Sequence, residues 1–230
     1  MNLQVELEIV EALKRFHRIH SGETALVIGN GPSLNNTPLK ELSERYVSMG
    51  SNKIYRLPFT PKYYCIIDEE MAATCIPLPA DFKPEEMFIR AEYGIGNPIY
   101  PIVASGFGLD ISNFVVMGGS VTFALLQLAF YMDFSTVLLV GVDHNYPKAL
   151  QYGRHRFTAR GNDPDHFQCP DGRPYFEEGK VFNPPELDGL TQAYKIADEV
   201  YSKTNKVIIN LTPDTHLDVF KKDNWNNWLR

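Results

Sequence analysis

Apolar residues recur at helical spacing near the amino end, where Val5, Ile9, Leu13 and Phe16 alternate with Glu6, Glu8, Glu11, Lys14 and Arg15. The spacing predicts an amphipathic helix over about residues 4–20, ended by Ser21-Gly22. The pattern then changes. Ala25-Leu26-Val27-Ile28 is a short continuous apolar run closed by glycine, as in a strand covered on both faces. Similar runs recur at 63–67, 87–89, 114–117, 136–140 and 207–209, and a further strand ends at Met49-Gly50-Ser51. Helical patterns separate several of them, most clearly at 120–132 and 186–203. Buried strands alternating with helices predict an α/β fold, a Rossmann-like, mostly parallel sheet flanked by helices.

The segment 143–185 departs from this alternation. It holds four glycines and six prolines in 43 positions and shows little periodicity. An irregular stretch of that length inside a compact domain is more often a functional lid than a plain connection. The expected organisation is therefore one nucleotide-binding α/β domain over 1–230 with a lid-like insertion at 143–185. Ligands of such sheets bind beyond the carboxyl ends of the strands, so the residues just after each apolar run are the candidates for chemistry.

Composition narrows the function classes. Hydrophobic residues make up 44% and charged residues 22% of the 230, which removes support for a disordered or fibrous chain. The formal net charge of −6 speaks against general binding to a nucleic-acid backbone. Cys65, Cys75 and Cys169 are odd in number and lack C-x-x-C spacing, so neither a disulfide framework nor a zinc site is indicated, and a reducing cytoplasm is the expected compartment. The charged amino end does not resemble a signal peptide. Residues 111–132 carry no formal charge over a length that could span a bilayer, but Met117-Gly118-Gly119-Ser120 and Gln127 interrupt the run, so a buried helix is expected there.

Five strand ends offer candidates. After the first strand, Gly29-Asn30-Gly31-Pro32-Ser33 combines glycines that allow close backbone approach with side chains able to bond a ribose or phosphate. It is neither a G-x-G-x-x-G nor a Walker loop, and a simple strand-to-loop turn explains the same residues. Asn52 follows the second strand, and two asparagines on neighbouring strand ends can read a base or sugar edge without charge. Asp68 follows the third, where it binds a hydroxyl or metal, or else caps the next helix. Gly119-Ser120 opens the apolar helix, as an anion site or as a cap alone. Asp143 closes the fifth run and is followed by His144, Asn145 and Tyr146. In the lid, five cations face three aspartates between Lys148 and Arg173, a local excess suited to an anionic ligand.

Taken in order, Ile28-Gly29-Asn30-Gly31-Pro32-Ser33-Leu34, Ser51-Asn52-Lys53-Ile54-Tyr55, Gly119-Ser120-Val121, Val140-Gly141-Val142-Asp143 with Tyr146 and Tyr152, and Asp165-His166-Phe167 resemble the bacterial lipooligosaccharide sialyltransferases. The likeness runs from about residue 24 to 210. It implies a single nucleotide-binding domain with a lid, transferring sialic acid from its cytidine monophosphate (CMP) donor to a glycan hydroxyl without a metal or other cofactor. By resemblance Asn30, Ser33 and Asn52 hold the donor's nucleotide, the Gly119-Ser120 turn lies against it, Tyr146 and Tyr152 bind the departing phosphate, and His166 is the general base. The implied partners are a nucleotide-sugar donor and a glycan acceptor, the latter bringing the enzyme near a membrane surface, and an oligomer is compatible with the sequence. Departures are the short chain, a helix ahead of the first strand, and no long basic helix at the carboxyl end. Archaeal 6-hydroxymethylpterin diphosphokinases share the G-x-G-P-S and strand–Asp pattern but use magnesium and ATP, for which Asp68 and Asp143 would have to supply the carboxylates. A non-catalytic nucleotide- or glycan-binding module is the third reading.

Overall fold

A computed structural model describes residues 10–147, 157–158 and 163–230. In chain order the strands are β1 (Thr24–Ile28), β2 (Val47–Ser51), β3 (Tyr63–Ile66), β4 (Glu86–Arg90), β5 (Asn97–Ile99), β6 (Pro101–Ile102), β7 (Val115–Val116), β8 (Thr136–Val140), β9 (Phe157–Thr158), β10 (Val181–Phe182), β11 (Val207–Asn210) and β12 (Lys221–Lys222). The helices are α1 (Leu39–Ser43), α2 (Glu69–Cys75), α3 (Val121–Tyr131) and α4 (Leu187–Lys203). Eight strands form one sheet in the order β12-β11-β8-β1-β2-β3-β4-β5. Every pairing in it is parallel. This is a Rossmann-like α/β fold. From β1 the chain builds outward through β5 on one side and through β8, β11 and β12 on the other, so the order reverses between β1 and β8. A crevice opens beyond their carboxyl ends.

Alternate side chains of each strand feed opposite faces. Ala25, Val27, Val137 and Leu139 pack with α3 and α4, whereas Leu26, Ile28, Leu138 and Val140 pack with Leu39, Leu42 and Met71. Burial on both faces is why these strands read as continuous apolar runs. Helix α3 is buried all round, lying between the sheet, the Leu190–Ala193–Tyr194–Ala197–Tyr201 stripe of α4, and the chain before β8. Its one buried amide, Gln127, is fully used. The Oε1 atom accepts from Gly108 N (2.8 Å) and Val116 N (2.9 Å), and Nε2 donates to Val116 O (2.8 Å) and Phe123 O (3.1 Å). Among the described residues no helix is long and apolar enough to cross a membrane.

Two expectations change. Of the helix expected over 4–20, residues 4–9 lie outside the described residues; 10–14 are helical and the chain runs in turns to 22, because Arg18 adopts φ 60° and the backbone N–H groups of Arg18 and His20 donate to Tyr131 O and Met132 O at the end of α3. The run at 114–117 contributes only β7, which pairs with β6 outside the main sheet. Within 143–185, the described stretch 163–176 packs on the core beside the ends of β1 and β2. Phe167, Cys169 and Tyr175 are buried in the core, Phe167 N donates to Asn30 O (3.0 Å), and Lys53 Nζ donates to Tyr175 O (2.8 Å).

Candidate functional site

The corner where β1 and β8 end is built by contact between the two strands. Gly31 has φ −73° and ψ 164°, a conformation open to any residue, yet a β-carbon there would lie 1.9 Å from Asp143 Oδ2. A β-carbon on Gly29 would lie 2.3 Å from Gly141 O, and one on Gly141, whose φ is +68°, would meet the Leu34 side chain at 2.5 Å. These glycines are therefore required by the packing of one strand end on the other. The space at Gly31 is taken by a carboxylate: Asp143 accepts from Ser33 N at Oδ1 (3.1 Å) and from Ser33 Oγ at Oδ2 (2.8 Å). Burial pushes the Asp143 carboxyl above the ordinary range, against the lowering effect of these bonds.

Beyond the corner lies a cavity of about 380 Å³, near the lower end of the roughly 300–1,000 Å³ range of small-molecule sites. Asn30, Gly31, Asn52, Gly119, Ser120, Asp143, Tyr146 and His166 all line it. Gly29 and Ser33 stand behind the wall, occupied in the corner packing, and Tyr152 lies outside the described residues, as do Lys148, Arg154, Arg156 and Arg160. Arg173 is described, but it is exposed and bonded to Asp171 (2.6 Å). Asp68 caps α2, accepting from Met71 N (2.8 Å), so the capping alternative describes its place. Ser120 caps α3, accepting from Thr122 N (3.1 Å), and also lines the cavity.

The two asparagines meet at one point. Asn30 Nδ2 donates to Ser51 Oγ (3.1 Å), next to Asn52, which takes a left-handed φ of 50° and whose carbonyl oxygen accepts from Tyr64 OH (2.5 Å). Asn30 Oδ1 and Asn52 Oδ1 are buried without a hydrogen-bond partner among the described residues. An unmade buried acceptor costs about 1–3 kcal/mol, so both oxygens call for a donor that the described residues do not supply.

Beside Asn30, whose carbonyl oxygen accepts from Phe167 N, His166 Nδ1 lies 2.9 Å from Asp163 Oδ2, while Asp163 Oδ1 accepts from Asp165 N (3.0 Å). A carboxylate only accepts, so Nδ1 carries the proton and Nε2 is the nitrogen able to take one. The imidazole is stacked on Tyr175 at 4.1 Å and 12° and meets the Phe176 ring at 78°. The Tyr146 phenol is held well above its ordinary pKa by burial, then by Tyr194, Asp143 and Asp165, so it remains a hydrogen-bond donor at neutral pH. Five carboxylates line the cavity, on Asp68, Glu70, Asp143, Asp165 and Glu186, and among the described lining residues there is no Lys or Arg. No three His, Cys, Asp or Glu side chains gather for a metal ion among the described residues, and the three cysteines are free and buried.

Sequence reading missed Asp163, whose Asn162-Asp163-Pro164-Asp165 context looks like a turn, and Tyr175, which no motif marks. The i, i+3 spacing of Asp163 and His166 within a turn was the available signal. Together the fold and site define a class: a Rossmann-like α/β protein with a half-open cavity of mixed polar and apolar lining at the switch point of its sheet. No family model matches the chain, and a comparison with curated proteins finds no match.

Proposed function

We propose that the chain is a glycosyltransferase of sialyltransferase-like type, moving a sugar, with sialic acid the first candidate, from a CMP-linked donor to a glycan hydroxyl without a metal. The observation that carries this reading is one cavity holding both a carboxylate-oriented imidazole and two unpartnered amide oxygens. Asn30 and Asn52 accept from the hydroxyls or exocyclic amine of the nucleoside. His166 Nε2 takes the proton of the acceptor hydroxyl as its oxygen bonds the anomeric carbon; the bond from that carbon to the phosphate oxygen breaks, and CMP leaves with the electron pair. Tyr146 donates to the departing phosphate, with Tyr152 assigned beside it by resemblance. A nucleotide phosphate leaves readily, so charge stabilisation and one general base suffice.

A second reading has its own support. The acid-rich wall suits a ligand accompanied by a cation, as in a magnesium–ATP diphosphokinase, although Asp68 is engaged in capping and Asp143 in holding Ser33. Melting temperatures with CMP, CMP-sialic acid and ATP, each with and without magnesium, separate the two, since a ligand of the native state must stabilise it. CMP should raise the melting temperature without magnesium, and His166→Ala should lower transfer by about 100-fold or more while CMP still binds. Full transfer by His166→Ala, or stabilisation by magnesium–ATP alone, refutes the leading reading.

A further inference from the structure

His144 lines the same cavity and has no role in the mechanism above. The two residues before it are held by the neighbouring loop: Val142 N donates to Thr212 Oγ1 (3.0 Å), Thr215 Oγ1 to Val142 O (2.7 Å), and His216 N to Asp143 O (2.9 Å). His144 adopts a left-handed φ of 53°, a conformation that histidine takes more readily than most residues with a side chain.

The hydrogen-bond geometry assigns its tautomer. Thr191 Oγ1 donates its single proton to Leu187 O (2.7 Å) and lies 2.9 Å from His144 Nε2. Having no second proton, the threonine oxygen can only accept from the ring, so Nε2 carries the hydrogen and Nδ1 is a bare lone pair. That Nδ1 is buried and has no partner among the described residues. Burial first, then the adjacent His216, holds the imidazole below its ordinary pKa, with Asp218 opposing, and the Tyr146 and Tyr194 rings flank it at 6.4 and 6.1 Å. A neutral ring offering only a lone pair repels phosphate oxygens and suits a donor.

We propose that His144 recognises a neutral hydrogen-bond donor of the ligand, a hydroxyl or amino group of its sugar or base, by accepting it at Nδ1. With Asn30 Oδ1 and Asn52 Oδ1 it makes a third unpartnered acceptor around one cavity, so the described walls grip the donor-rich, uncharged part of the ligand. The inference rests on the cavity being the nucleotide site proposed above.

Titration calorimetry of cytidine, CMP and inorganic phosphate into the wild type, His144→Gln and His144→Asn tests it. Glutamine can still reach Thr191 but presents no acceptor where Nδ1 lies; asparagine carries an amide oxygen at that place and tolerates positive φ. His144→Gln should weaken cytidine and CMP by the same factor, about three- to tenfold for one neutral hydrogen bond, leaving phosphate unchanged, and His144→Asn should recover most of the loss. Unchanged cytidine binding by His144→Gln, or weakening confined to CMP and phosphate, overturns the role of His144 and leaves the nucleotide reading standing. A wild type that binds neither cytidine nor CMP removes that reading and this inference with it. Should His144→Gln fail to fold, Thr191→Val keeps the ring but frees its tautomer; it should weaken cytidine about two- to threefold, and an unchanged affinity refutes the role.

Discussion

Replacing Gly31 by alanine tests whether the first glycine loop is shaped by its own protein or by a ligand. Alanine is allowed at φ −73° and ψ 164°, so no conformational cost arises. The cost comes from the new β-carbon, 1.9 Å from Asp143 Oδ2, which must drive the carboxylate away from Ser33. Two part-buried bonds from Ser33 are then lost, each to a charged acceptor and worth about 1.5–3 kcal/mol, offset by partial rehydration. Gly31→Ala should therefore cost about 3 kcal/mol. Asp143→Ala breaks the same bonds but also removes a carboxylate whose burial disfavours its charge, for a net cost of about 2 kcal/mol. Because both substitutions destroy one clasp, the double variant should lose about 3 kcal/mol instead of an additive 5, a coupling of about 2 kcal/mol. Some of that remains because Gly141 O would still lie 2.9 Å from the alanine β-carbon. Urea denaturation followed by the fluorescence of Trp225 and Trp228 measures the cycle. Additivity within about 0.5 kcal/mol would show that the clash is relieved some other way and that Asp143 does not dictate Gly31.

Two further outcomes follow from interactions away from the cavity. Gln127→Leu preserves bulk but strands Gly108 N, Val116 N and Val116 O in the core; at about 1–3 kcal/mol for each stranded group, stability in urea should fall by at least about 3 kcal/mol, and a loss below about 1 would contradict the account. Asp133 accepts from Lys206, Ser21 and Arg18 and is held at about 2, below its ordinary 3.8, so its contribution is complete above about pH 4 and is lost as pH falls toward 2. Asp133→Asn should flatten the stability-against-pH curve over that window, and a curve of unchanged slope would show that other carboxylates carry the acid sensitivity.

How much of the site could be read in advance differs from residue to residue. Asn30 and Asn52 are legible as strand-end positions because one follows an apolar run and the other the Gly-Ser end of a strand, and strands buried on both faces end at the same edge of a parallel sheet. The glycines were legible as positions but not as causes: their sequence context suggests close approach to a ligand, whereas Gly29 and Gly31 face Gly141 O and Asp143. Ser33 and Asp143 both read in sequence as candidate ligand contacts, yet they are 110 residues apart and bind each other. His166 was found through a resemblance, while the carboxylate that orients it sat three residues away in what looked like a turn.

Local pattern determined the α/β class, the main strands and helices, and the burial of α3, because hydrophobic periodicity reports how many faces of an element meet the core. Strand order, and with it the switch point between β1 and β8, came only from the folded chain, since parallel neighbours are joined by long crossovers that leave no pairing signal in sequence. The same holds for the tautomers of His144 and His166. Each is fixed by a partner's spent or absent proton, a fact of three-dimensional bonding that residue order alone does not encode.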